Sequence, residues 1–304
     1  MKAPPSPPER GEITRRTRGL NRISPPSGGP GGAFTLFAVL PLVAGLGWAV
    51  LYSVGLVGGL SSGFTLENWQ KILENAPFWA SLGLSLAISL VVVVLSAALA
   101  LGSLLFFKNQ IFQKKARFWL HLPLAVPPMI AAFLGFQWLS NSGLATRVFL
   151  KIGWLQNLET APELINDQWH FGVVAMLVFG VFPFFLILFS TFFQSENLEN
   201  LSQLARTLGA SDRQIARRVV APVILRKALP NLVLSFIVTF GAFEVPLLLG
   251  RQSPQMISVF IAQKFRKFNL LDLPQAFAAA VVYAVVVFVL ALIFLKKQSK
   301  TASF

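Results

Sequence analysis

Long charge-free stretches alternate with polar loops along this 304-residue chain, and the stretches have the length of membrane crossings. A helix needs about 20 consecutive apolar residues to span a bilayer core. Six stretches qualify: 33–57, 78–107, 118–139, 171–193, 228–250 and 274–295. The second runs from Phe78 to Phe107 without a charge, enough for a long or tilted helix. Pro123, Pro127 and Pro128 interrupt the third and Pro183 the fourth, which predicts helices that break or bend where backbone lines a cavity. The pattern predicts an all-α integral membrane protein with six transmembrane helices. Residues 1–32 form a separate basic tail, 33–296 the membrane domain and 297–304 a short C-terminal end.

One polar island, Asn197 to Pro230, interrupts the apolar runs. Leu198, Leu201, Ala205 and Leu208 recur at spacings of three and four, an apolar stripe on a helix. Gly209 follows, where that helix would end and the chain turn. Ser211 or Asp212 then caps a second helix with Ile215 and Val219 on its inner face. Pro222 would limit this second helix, and Pro230 opens the next apolar run. Periodicity alone describes equally well an amphipathic helix lying on a membrane surface.

Composition supports the membrane assignment: 55% of residues are hydrophobic and 12% charged, against roughly 25% charged in soluble domains. The net charge of +14 has an uneven distribution. With the N-terminus inside, the tail, the 107–117 loop, the island and the C-terminal end hold 19 of the 26 basic residues. That asymmetry predicts cytoplasmic termini and a cytoplasmic island. Arg251, Lys264, Arg266 and Lys267 in the last external loop are the exception, read either as a basic outer surface for an acidic partner or as a plain solvated loop. No basic run is interleaved with exposed aromatics, so nucleic acid is not an expected partner. The tail is rich in Pro, Gly and Arg and lacks apolar periodicity, as disordered segments do. Arg15-Arg16 resembles a twin-arginine signal, but the apolar stretch that follows exceeds the roughly 7–15 residues of a signal core, so an uncleaved first span is expected.

Residue identities in the island add a resemblance. Gln203-Leu204-Ala205-Arg206-Thr207-Leu208-Gly209, followed by Val219-Val220-Ala221-Pro222, is similar to the EAA loop of bacterial ABC-importer permeases. That pattern reads Glu-Ala-Ala, three residues, Gly, nine residues, Ile, any residue, Leu-Pro. Ala205, Gly209 and Pro222 fall in register and Val219 replaces Ile, whereas Gln203, Leu204 and Ala221 depart from it. The resemblance implies the type I importer permease fold, with spans 2–6 as its five-helix core and span 1 as an additional helix. It also implies that Gln203, Leu204, Ala205, Arg206, Leu208, Gly209, Asp212 and Pro222 belong to a coupling helix and loop that dock on a separate cytoplasmic ABC ATPase dimer. Further implied partners are a second permease subunit, with a heterodimer favoured, and an external solute-binding protein, all in the bacterial inner membrane among its lipids.

Candidate chemistry is sparse. Glu244 is the one acid inside a predicted span, and a carboxylate there faces a cavity or a partner by default. It is read either as a gate or path residue, with Pro246 loosening the helix beside it, or as an interfacial group paired with Arg251. The segment Gly241 to Gly250 also resembles the matching span of polyamine, ferric-ion and related importer permeases, which implies a small charged solute, a polyamine first, with inorganic anion, ferric ion and thiamine as the alternatives. Absence of cysteine excludes disulfides and thiolate metal sites, and His121 and His170 come with no carboxylate pattern for a metal. No Gly-x-x-x-x-Gly-Lys-Ser/Thr loop is present, so ATP hydrolysis would fall to a partner, and neither cofactor nor enzyme chemistry is expected. The competing class is a proton-coupled secondary transporter that relays protons through Glu244. A purely structural scaffold would leave both Glu244 and the island without a use.

Overall fold

A computed structural model describes residues 30–58, 63–157, 161–266 and 272–301. Most of the expected tail and the loop residue Lys267 lie outside them. The described chain falls into two units, Met1–Trp48 and Ala49–Phe304. The first holds most of helix α1 (Pro30–Ser53), which covers the first predicted span.

In the second unit, α2 (Glu67–Leu73) leads to α3 (Ala76–Phe106), whose start is capped by Asn75 Oδ1 accepting from the Phe78 N–H at 3.0 Å. A short α4 (Lys108–Ile111) turns the chain into α5 (Lys114–Ala125) and α6 (Pro128–Leu139). These two make up the third predicted span, bent by 99° at Val126–Pro127. The residue before Pro128 is another proline, and a proline disfavours helical backbone at the position ahead of it, so the break falls where the sequence placed it. A loop helix α7 (Leu144–Lys151) precedes α8 (Phe171–Ser195). The proline of the fourth span does not break it, since Pro183 is buried inside continuous α8.

The island supplies α9 (Leu198–Thr207) and α10 (Asp212–Ile215), and a π-helical turn, Ala216–Val220, runs on into α11 (Ala221–Phe240). Then come α12 (Glu244–Leu249), α13 (Ile257–Phe265) and α14 (Leu273–Thr301). The fifth span departs furthest from expectation. Instead of one helix over 228–250, the chain forms an unbroken 29-residue helix from Asp212 to Phe240 and then a separate short one. Among the described residues, four helices are long and apolar enough to cross a membrane, or five counting the bent pair as one. The first span contributes only the shorter apolar piece Val39–Ser53 to that comparison.

Small side chains pack the centre. Ser81, Ser85, Ser89, Ser96, Ala97 and Ala100 are buried along α3, which lies against α8 and α11. Lipid tails are as apolar as leucine, so helices in a bilayer gain from close approach and interhelical hydrogen bonds rather than from burying greasy surface. Ser85 Oγ shows the second contribution: it accepts from the Ile257 N–H at 2.7 Å, satisfying a start of α13 that would otherwise be orphaned. The segment before α8 lies equally close. Leu164 O occupies the space that a Cβ on Gly172 would need, so only glycine fits there. The Asn166 N–H reaches Leu249 O at 2.9 Å, joining this segment to the end of α12.

The basic residues of the last loop differ in setting: Arg251 and Arg266 are exposed, Lys264 is buried and Lys267 lies outside the described residues. α13 buries Ile257, Val259 and Lys264, and Lys264 Nζ donates to Gln275 Oε1 at 3.1 Å with its cation over the Phe260 ring. The long aliphatic stem of a lysine packs well in this way while its head finds a polar partner.

Candidate functional site

The island folds as a helix, a glycine turn and a second helix. α9 ends in a Schellman motif: the Gly209 N–H reaches Arg206 O at 2.9 Å and the Ala210 N–H reaches Ala205 O at 3.0 Å. Gly209 has φ +82°, the left-handed conformation this closure requires. Of the two cap candidates, Ser211 is the one used. Its hydroxyl accepts from the Gln214 N–H and Gln214 Oε1 accepts from the Ser211 N–H at 2.9 Å, a full capping box. Across the turn, Arg206 donates from Nε and Nη2 to Asp212 Oδ1 at 3.0 and 2.7 Å. Ile215 is buried and Val219 packs against the same core, as expected.

The apolar stripe divides differently from its prediction. Leu198 is fully buried, Ser202 is buried, and Ala205 packs on the core; these three make the inward face. Leu201, Leu204 and Leu208 stand 44, 61 and 88% exposed, at spacings of three and four on the outward side. Ser202 takes the inner position expected for Leu201 because its hydroxyl folds back onto Leu198 O at 2.6 Å and leaves no polar group unsatisfied. Gln203 and Arg206 are also exposed, on the face of the helix that carries Glu199. A leucine strip held off the core, on a helix outside the membrane spans, is the kind of apolar surface a protein keeps for a partner.

Pro222 does not end the second helix. The Ala221 N–H bonds Ala216 O, an i to i+5 step that inserts one extra residue ahead of the proline. Proline lacks an N–H and its ring crowds the carbonyl four residues back, so a π turn just before it lets the helix continue. α11 therefore carries the line of the island directly into the membrane, and Pro230 lies inside it rather than opening it.

Ion pairs hold the island to the bundle. Lys108 Nζ pairs with Glu199 and Lys227 Nζ with Glu196. The hydrogen bond from Lys108 holds the Glu199 carboxyl below the ordinary value of 4.5, against a smaller opposing effect of burial. Behind α9 lies a cavity of about 580 Å³, lined by Leu104, Phe193, Ile215 and Val220 with Lys108, Arg206 and Arg213 at its polar side.

At the far end of α11 the helix breaks over Gly241–Phe243, and Glu244 opens α12 half-buried. Tyr283 Oη lies 2.6 Å from where a Cβ on Gly241 would stand, so the break is packed tightly against α14. Pro246 is buried in the first turn of α12, where no N–H is required of it. The loosening thus falls ahead of Glu244 and not at Pro246. Among the described residues no hydrogen bond or ion pair engages the Glu244 carboxylate, and Arg251 instead lines a cavity of about 470 Å³ with Glu163, Asp167 and Trp169. Glu244 and the leucine strip therefore stand at opposite ends of one continuous piece of chain. Among the described residues, no group of three or more potential metal-ligating side chains gathers.

Known proteins resemble this chain in sequence and fold. It is 26% identical over 234 residues to the "Inner membrane ABC transporter permease protein YcjO" of Escherichia coli (strain K12), covering 76% of this chain and 78% of that protein. A "Probable sulfate transport system permease protein cysT" of Prototheca wickerhamii is 29% identical over 57% of this chain and 62% of its own length. A chain from the crystal structure of a bacterial ABC transporter involved in the import of the acidic polysaccharide alginate superposes with a TM-score of 0.66 at 17% identity, over 95% of this chain and 98% of that one. A chain from a bacterial alginate ABC transporter in complex with an alginate pentasaccharide-bound periplasmic protein gives 0.65 at 18%, over 93% and 94%. These last two are likenesses of fold. Residues 97–299 match the family model of the binding-protein-dependent transport system inner membrane component, and the chain belongs to that family of ABC-importer permeases, multi-pass proteins of the inner membrane.

Proposed function

We propose that this permease transmits the work of a separate cytoplasmic ATPase through α9 and the turn that follows. The exposed strip Leu201, Leu204 and Leu208 carries the reading: three leucines at helical spacing stand 44, 61 and 88% exposed, held off the core. In this reading Ala205 seats the helix on the bundle, Gly209 and the Arg206–Asp212 pair fix the turn, and the π turn before Pro222 joins it to α11. Both termini lie in the cytoplasm with the island, following the distribution of basic residues. A second permease chain, different from this one, completes the path, and an external binding protein delivers the solute. The alginate transporter of similar fold, held in complex with a pentasaccharide-bound periplasmic protein, supports that last partner.

Glu244 and the neighbouring break belong to the translocation path. An unpaired, half-buried carboxylate favours a cationic solute of the polyamine type. The names of two relatives, concerned with sulfate and with an acidic polysaccharide, favour an anion and supply a second reading.

The test is purification of the tagged chain in mild detergent, assayed for a co-purifying P-loop ATPase. Leu204→Asp with Leu208→Asp places charge on the strip without touching the core, and is expected to abolish recovery of the ATPase while leaving the fold intact. Full recovery with the double variant would rule out the strip as the docking surface. A parent preparation free of ATPase that still transports in proteoliposomes would favour proton coupling instead.

A further inference from the structure

The inward side of α9 carries a device that its outward side does not need. Glu199 stands in the first turn, next to fully buried Leu198, and accepts from Lys108 Nζ, 91 residues away in sequence. Lys108 is the first residue of α4, immediately beyond the end of α3. Its ammonium also lies over the ring of Phe193, 5.4 Å from the centroid, and Phe193 is a buried residue near the end of α8. One cation thus engages three separate elements: the α3–α4 corner, α8 and α9. Lys108 and Glu199 border the cavity of about 580 Å³ behind α9, where helix-to-bundle packing is incomplete. Packing alone leaves α9 room to move into that space; the ion pair spans its edge.

We propose that Lys108 and Glu199 are positioning residues for transport, keying α9 to the α3–α4 corner. A push on the leucine strip then moves α3 and α8 with it instead of closing the cavity. The proposal rests on the reading of α9 as the ATPase-facing helix. The pair is partly exposed, with 33 and 44% of the two side chains accessible, and such pairs add little to global stability. Its effect is on the direction in which α9 can move.

This chain has no cysteine, so introduced thiols are its only labelling sites, and labelling it before the ATPase is added back keeps the nitroxides on this chain. Asn200→Cys on α9 and Phe106→Cys at the end of α3 are both exposed and carry nitroxides for a distance measurement. The labelled parent is compared with Lys108→Met, an unbranched side chain without the charge, with Glu199→Gln, and with the exchanged pair Lys108→Glu/Glu199→Lys. Each is measured alone in detergent, and again with the co-purified ATPase trapped by ATP and vanadate. The parent should give one narrow distance that is the same in both states. Each single variant should lose the narrow distance at rest and shift on trapping, with unchanged thermal unfolding, and the exchanged pair should restore parental behaviour. Single variants identical to the parent in both states, or an exchanged pair as broad as the singles, would overturn the proposal. A parent that binds no ATPase would overturn the docking role of α9, while the resting distances would still report on the pair itself.

Discussion

Gly209 shows how narrow a single requirement can be. Nothing lies within 4 Å of a Cβ built there, so the site has room for a side chain; its φ of +82° is the whole constraint. A β-branched residue in left-handed backbone carries strain of about 1–2 kcal/mol, whereas asparagine tolerates the region. Gly209→Val should therefore weaken hydrogen-exchange protection at the Gly209 and Ala210 amides and uncouple ATP hydrolysis from transport, while Gly209→Asn stays near the parent in both. Equal loss in the two variants would mean that contacts, not backbone conformation, decide the turn. Glu199 shows a different kind of local control. Its carboxyl is held below the ordinary 4.5, so the pair with Lys108 is complete above that value and is lost only as pH falls through the lowered one. Glu199 is therefore ionised at neutral pH.

Among the elements, the helix from Asp212 to Phe240 matters most. At 1.5 Å per residue its 29 residues reach roughly 43 Å, from the turn of the island to the break before Glu244. The π turn at Ala216–Val220 carries this helix past Pro222. Deleting exposed Arg217 removes the extra residue that the π turn absorbs and returns the segment to α geometry with its two parts facing as before, but it sets the Pro222 ring against the carbonyl four residues back, so the helix should kink there. Helicity by circular dichroism is expected to persist while ATPase recovery is lost, and Arg217→Ala should retain both. Retention of the ATPase after the deletion would show that the π turn is not needed to carry the helix past Pro222. Here the sequence misled for a physical reason: Pro222 marks a helix stop by local rules, and the register change that cancels it has no residue signature of its own.

At the scale of the whole molecule, the proposed role of Glu244 is tested by transport through the assembled permease. With purified components in proteoliposomes, Glu244→Gln should slow uptake of labelled putrescine by about tenfold, equivalent to roughly 1.4 kcal/mol, and leave labelled sulfate no slower. Unchanged putrescine uptake would remove Glu244 from the path, and a parent that carries sulfate but not putrescine would establish the anion reading.

Composition and span length determined the class of protein, because charge-free runs of this length find their backbone partners within a membrane helix. The island's helix–turn–helix, its Gly209 turn and its resemblance to importer permeases were equally legible, since caps and glycine turns are local chemistry. The inward face of α9, the fused helix through Pro222, the break ahead of Glu244 and the Lys108–Glu199 clamp came from the tertiary structure alone. In a membrane domain every face of a span is apolar, so periodicity does not say which side packs and which meets lipid. The clamp joins residues 91 positions apart, a pairing that only the folded chain brings together.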